Sequence, residues 1–170
     1  MKAIVYTSNT GHTKEYAWIL GEKTDLPVFE LGEAIKQLDK GTPLIYLGWL
    51  FANTVKGHKK TAKFFNIDAV CAVGLCDTGT AIDGVRKANA MPEDLPLFTM
   101  QGGMDKTKLR GINKFMISML TKAMESKKDK TADDERMVYL LKNDQDYVCE
   151  ENTAAFMEWY QKQIATDAIT

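Results

Sequence analysis

Cysteine is scarce in this chain: three residues in 170, at positions 71, 76 and 149, with no C-x-x-C pair. So small and scattered a set excludes a disulfide framework and a thiolate zinc site. Cys71 and Cys149 read as core or half-buried thiols, and only Cys76 stands out, through its place in a loop. Histidine is scarcer still, with His12 and His58 alone. Without a G-x-S-x-G elbow, that leaves a nucleophile–base–acid hydrolase without its parts. No apolar run is long enough to span a bilayer, and Met1-Lys2 leads into a strand pattern, not a signal peptide, so the expected location is cytoplasmic. Neither sign of charge is in excess: 22 basic against 23 acidic residues, a formal net charge of -1, makes no global case for nucleic acid. A hydrophobic content of 45% over this length is enough for a single domain with a full core.

What is present begins at the first residues, MKAIVYTSNTGHT. Ala3-Ile4-Val5-Tyr6 is a short apolar run of strand formers, the loop Thr7 to Thr13 follows at once, and a helical pattern then opens on Tyr16, Ala17, Ile19 and Leu20. Strand, hydroxyl-rich turn and helix N-terminus together aim backbone N–H groups and a positive dipole end at one spot, which suits a phosphate. Ser8, Thr10 and Thr13 add hydroxyl donors, and Gly11 permits close approach or a positive φ. The loop lacks the closing Lys-Ser or Lys-Thr of a P-loop and the three glycines of a dinucleotide fingerprint. An ordinary capped helix start is the plainer alternative.

Further along, Pro27 to Leu31 reads as a second strand and Glu33 to Leu38 as a helical turn. Thr42 to Leu47 and Ala69 to Leu75 are near-continuous apolar runs, as expected of strands covered on both faces. Thr54 to Phe65 carries helical periodicity beside a basic patch at Lys56, His58, Lys59 and Lys60. A helix from Ala81 to Ala90, a strand from Leu95 to Met100 and a closing helix from Asn152 to Ile164 complete an alternating pattern. Alternation argues for a doubly wound parallel sheet, with ligands at the carboxyl ends of its strands. A receiver domain shares that fold, but no acidic pair follows the first strand and no Asp ends the third.

The loop Ser8-Asn9-Thr10-Gly11-His12-Thr13 resembles the phosphate loop of flavodoxins, [ST]-x-T-G-x-[ST]. The resemblance implies a three-layer α/β/α sandwich with a five-stranded parallel sheet in the order 2-1-3-4-5, and FMN as cofactor. It places two flavin-flanking loops after the third and fourth strands. In the first, Trp49-Leu50-Phe51-Ala52-Asn53, either Trp49 or Phe51 stacks on the ring, unless both belong to the core. In the second, Leu75-Cys76-Asp77-Thr78-Gly79, backbone groups meet the ring edge; Asp77 either contacts flavin or caps the next helix. This second loop lacks the aromatic that flavodoxins often carry.

Residues 101–148 exceed a minimal flavodoxin and read as an insertion after or within the last strand. Met104 to Met124 can be drawn as one helix with Leu109, Ile112, Met116, Met119, Leu120 and Ala123 along a stripe, Phe115 and Ile117 beside it, and Lys106, Lys108, Arg110, Lys114 and Lys122 interleaved. Such a helix either packs on the sheet or lies on an anionic membrane surface. Glu135 to Lys142 reads as a short helix, and Tyr147 to Cys149 as a strand remnant. The stretch Phe98 to Asp105, with Lys108-Leu109 and Lys114 to Ile117, resembles the flavodoxin-like protoporphyrinogen oxidases and their relatives. That likeness implies an FMN enzyme passing electrons to a quinone at the membrane, whereas the broader one allows an electron-transfer module that docks a redox partner protein. A flavin-free relative is the third reading. The near-zero net charge disfavours the shuttle, since flavodoxins that steer to basic partners are strongly acidic.

Overall fold

A computed structural model describes residues 1–167. Five parallel strands form the sheet: β1 (Ile4–Thr7), β2 (Val28–Glu30), β3 (Pro43–Phe51), β5 (Asn66–Gly74) and β6 (Leu97–Gln101), in the order β2-β1-β3-β5-β6. A two-residue strand, β4 (Thr54–Val55), folds back antiparallel on the end of β3. Counting parallel strands alone, the order is the 2-1-3-4-5 of a flavodoxin-like fold. The order reverses between β1 and β3, where such sheets open a crevice.

Strand alternation sorts the core. Val5, Leu44, Tyr46, Val70 and Ala72 face one side, against α2 (Leu31–Gln37), α3 (His58–Phe64) and α4 (Ile82–Asn89). Ile4, Ile45, Leu47, Ala69 and Cys71 face the other, against α1 (His12–Thr24) and α7 (Ala154–Asp167). Both sets are fully buried, which explains why these strands read as unbroken apolar runs. Each large aliphatic side chain so buried contributes about 1.5–3 kcal/mol.

Several boundaries differ from the sequence reading: the strand expected to end at Leu47 runs to Phe51, the strand expected from Ala69 starts at Asn66, and the helix expected from Glu135 starts at Ala132. Helix α1 runs on past Gly21 to Thr24 and stops where Asp25 turns left-handed (φ 55°); Gly21 is where the helix meets Val28 too closely for a side chain. The helix expected from Thr54 starts only at His58, because Thr54–Val55 pairs with β3 and Gly57 takes φ 88°. The helix expected from Met104 starts at Gly111. Before it, β7 (Gly103–Met104) pairs with β8 (Gln145–Asp146), and the Asp105 carboxylate accepts from the Thr107 N–H (3.0 Å) and hydroxyl (2.5 Å) in a local turn. The strand remnant therefore lies at Gln145–Asp146, just before Tyr147. The insertion follows β6 and carries α5 (Gly111–Ser126) and α6 (Ala132–Lys142), the latter opened by a Thr131–Asp134 capping box. Among the described residues, no helix is long and apolar enough to cross a membrane.

Tyr46 fastens the end of β1 to the turn after β4. Its hydroxyl lies 2.6 Å from the Lys56 carbonyl and 2.8 Å from Thr7 Oγ1, and burial pushes its pKa up to about 12. A phenol whose folded pKa exceeds its unfolded value of about 10 favours folding in full below that pH, and the contribution is lost as pH rises through about 12. Urea titrations between pH 9 and pH 12.5 are expected to show wild type losing about 2–3 kcal/mol through this group. Tyr46→Phe is expected to lose correspondingly less over the same interval. Some slope persists in the variant, since burial also raises Tyr6, Tyr16 and Tyr160.

Candidate functional site

A cleft of about 460 Å³ opens over the carboxyl ends of the strands. Three segments far apart in sequence line it together: Ser8, Asn9, Thr10, His12 and Thr13 after β1; Trp49 to Asn53 at the end of β3; and Leu75 and Cys76 after β5.

The first segment is a turn into a helix. Ser8 Oγ accepts from the Gly11 N–H at 3.2 Å, and Gly11, at φ 116°, caps α1. No side chain caps that helix, so its first-turn N–H groups stay available to an acceptor in the cleft. Thr10 Oγ1 lies 3.1 Å from His12 Nδ1, and His12 Nε2 lies 3.8 Å from the Asp146 carboxylate. Gly11 itself does not line the cleft; Lys108 Nζ lies 3.8 Å from where its Cβ would stand.

The second segment is a hairpin, not a strand-to-helix loop. Phe51 and Thr54 pair across a two-residue turn in which Ala52 (φ 46°) and Asn53 (φ 64°) are both left-handed, as a type I′ turn demands. Asn suits that backbone; Ala52 does not, at a cost of about 1–2 kcal/mol. The strained turn is held from α4 by the buried Asn89. Its Nδ2 donates to the Asn53 carbonyl (2.8 Å) and its Oδ1 accepts from the Val55 N–H (2.9 Å). On the turn's arm, Trp49 and Phe51 meet edge to face, 6.4 Å between centroids. Asn89→Leu leaves the buried Val55 N–H unpaired and is expected to cost about 1–3 kcal/mol in urea denaturation. Faster hydrogen exchange at Val55 is the local signature to look for.

The third segment divides. Leu75 and Cys76 face the cleft, and burial together with the Asp77 charge raises the Cys76 thiol pKa, so it stays neutral. Asp77, Thr78 and Gly79 turn away and fix the loop. Asp77 takes a two-pronged ion pair from Arg136 of α6 (2.6 and 2.7 Å), which lowers its pKa, and it does not cap α4. Thr78 donates to Asn152 (2.7 Å) and accepts from the Gln101 N–H (2.9 Å). The Gly79 N–H donates to the Thr99 carbonyl at φ 78°.

The likeness to the flavodoxin-like protoporphyrinogen oxidases implies a helix near the flavin, but the residues that form the rest of the wall were not assigned to the site. Met104, Ile117, Leu120, Met124, Met137 and Leu141 close the cleft from the insertion, so α5 packs over the site and not on the sheet. The spacing 117-120-124 and 137-141 marks those inward faces. Asn113 donates to Asn9 at 2.9 Å, tying α5 to the first loop as Arg136 ties α6 to the third. His58, from the basic patch of the sequence, is buried outside the cleft, and desolvation lowers its pKa. Among the described residues, no cluster of His, Cys, Asp or Glu could hold a metal ion.

The fold and this cleft define the protein as an α/β chain of flavodoxin-like topology with a helical wall over its strand ends. No protein-family model, curated protein or solved structure matches the chain.

Proposed function

We propose that the protein is an FMN-dependent oxidoreductase that oxidises a small or membrane-borne substrate and delivers the electrons to a quinone. The observation that carries this reading is the convergence of an uncapped helix N-terminus with hydroxyls, two aromatic rings and an apolar wall on one cleft. Its volume lies within the range of about 300–1,000 Å³ usual for ligand sites.

The residues fit the cofactor. Ser8, Thr10 and Thr13, with the first-turn N–H groups of α1, would hold a phosphate monoester without a metal. Trp49 or Phe51 would pack on a flat heterocycle, and Leu75 and Cys76 would border it. When bound, FMN supplies the two-electron chemistry. The chain's own part is to orient the ring, to exclude water with the methionines and leucines of α5 and α6, and to set the local charge.

The same wall favours an enzyme over an electron-transfer module. It covers the cleft with apolar side chains, leaving an opening better suited to a small apolar molecule than to a docking protein. A quinone fits that description, as does the reduced tetrapyrrole implied by likeness to the flavodoxin-like protoporphyrinogen oxidases. Outside the wall, Ile112, Phe115 and Met119 point to solvent beside Lys114 and Lys122, an apolar and basic face suited to the inner, anionic surface of the cell membrane. Steady-state turnover of protoporphyrinogen or NAD(P)H with a water-soluble quinone tests the proposal. Turnover, with sedimentation on anionic liposomes, is expected; rapid one-electron exchange with a reductase and no turnover would replace the enzyme by the shuttle.

A further inference from the structure

We propose that Lys56 is the charge partner of the reduced cofactor, its ammonium offsetting the negative charge that the ring acquires on two-electron reduction. The inference rests on the FMN reading above and adds to it the residue that sets the potential.

The hairpin register aligns Leu50 with Val55 and Phe51 with Thr54, and the Lys56 N–H donates to the Trp49 carbonyl at 3.0 Å. Lys56 therefore stands opposite Trp49, on the face that carries both aromatic rings. Its Nζ lies 5.8 Å from the Trp49 centroid and 5.1 Å from the Phe51 centroid, within reach of a cation–π contact with each. Its backbone cannot drift, because its carbonyl accepts from the Tyr46 hydroxyl at 2.6 Å.

Two absences make that cation matter. Lys56 forms no salt bridge with a carboxylate among the described residues, so none of those carboxylates neutralises its charge. No acidic side chain lines the cleft either. Lys56 is not itself part of the cleft lining but contacts Trp49 and Phe51, which are. Of the rest of the basic patch, His58 is buried and held toward its neutral form, and Lys59 and Lys60 are exposed on α3 with no such ring contact among the described residues.

Two electrons and one proton entering a neutral oxidised ring leave it with one negative charge. The electrons come from the organic substrate in turnover, or from dithionite in the test, and the proton from solvent or substrate. A fixed cation beside apolar walls stabilises that product and not the neutral oxidised form, so it raises the potential with little effect on oxidised binding.

The test is a potentiometric titration of FMN-loaded wild type, Lys56→Met and Lys56→Arg with dithionite against a reference dye, alongside their affinities for oxidised FMN. Lys56→Met keeps the stem and is expected to lower the midpoint by at least the roughly 30 mV that a tenfold change in a two-electron equilibrium represents. Lys56→Arg is expected to restore most of it, and all three proteins to bind oxidised FMN within about threefold of one another. An unchanged midpoint in Lys56→Met overturns the inference. So does a loss of affinity equal for oxidised and reduced FMN, which would make the residue merely structural. Wild type that takes up no FMN fails at the loading step, before any potential is read, and removes the flavin reading itself.

Discussion

Ser8→Asp is expected to weaken FMN binding about 100- to 1,000-fold and to leave riboflavin binding within about threefold of wild type. Ser8 is half-buried at the rim of the first loop, and its Oγ already accepts from the Gly11 N–H, a role that a carboxylate oxygen can keep. The turn into α1 therefore survives. What changes is the charge beside the phosphate: a pair of unit like charges about 4–5 Å apart near a protein surface repels by about 3–4 kcal/mol at an effective dielectric of about 20, the second charge of the phosphate being offset by the N-terminus of α1. Riboflavin lacks the phosphate and does not meet that repulsion. Paired titrations by flavin fluorescence give both constants. Equal losses for the two flavins would mean that the substitution damaged the cleft as a whole, and no loss for either would move the phosphate elsewhere.

Gly57→Ala is expected to be strongly destabilising, at about 3 kcal/mol or more. Gly57 takes φ 88° at the start of α3, and a Cβ there would run into the Tyr46 hydroxyl and Thr7 Oγ1. The two atoms are hydrogen-bonded to each other, and the Tyr46 hydroxyl also to the Lys56 carbonyl, so neither can swing aside without breaking the fastening of β1 to the hairpin. With a denaturant slope of about 1–3 kcal/mol per molar urea, the midpoint falls by at least about 1 M. Gly79→Ala is the matched control. It has a similar φ of 78° but open space around the Cβ, so only the backbone term of about 1 kcal/mol applies. Similar losses in the two variants would show that backbone conformation, not the crowding under Tyr46, sets the cost.

The sheet was legible because its signals are local. Ile4-Val5, Leu44 to Leu47 and Ala69 to Val73 are apolar in runs that only a strand covered on both faces can bury, and each run is followed by a segment with helical periodicity. The gathering of the three loops at one end follows from parallel topology. The hairpin after β3 was not legible. Its turn places Ala52 at a positive φ that nothing in the local sequence favours, and the group that holds it, Asn89, lies more than thirty residues later on another helix. The inward faces of α5 and α6 were missed for a different reason. Ile117, Leu120 and Met124 and the outward Ile112, Phe115 and Met119 merge into one broad stripe when drawn on a single helix, and only tertiary placement divides it. Asp77 reads from sequence as a cap or a ligand; its partner Arg136 lies in the insertion, beyond the reach of any local rule.

The central claim is that one FMN occupies the cleft over the strand ends. The most direct measurement is the flavin content of the purified, FMN-supplemented and desalted protein, read by visible absorbance with mass spectrometry of the released chromophore. One FMN per chain, displaced from Ser8→Asp and from no distant surface variant, is the result the account predicts. A colourless protein that gains no bound flavin from excess FMN would contradict it.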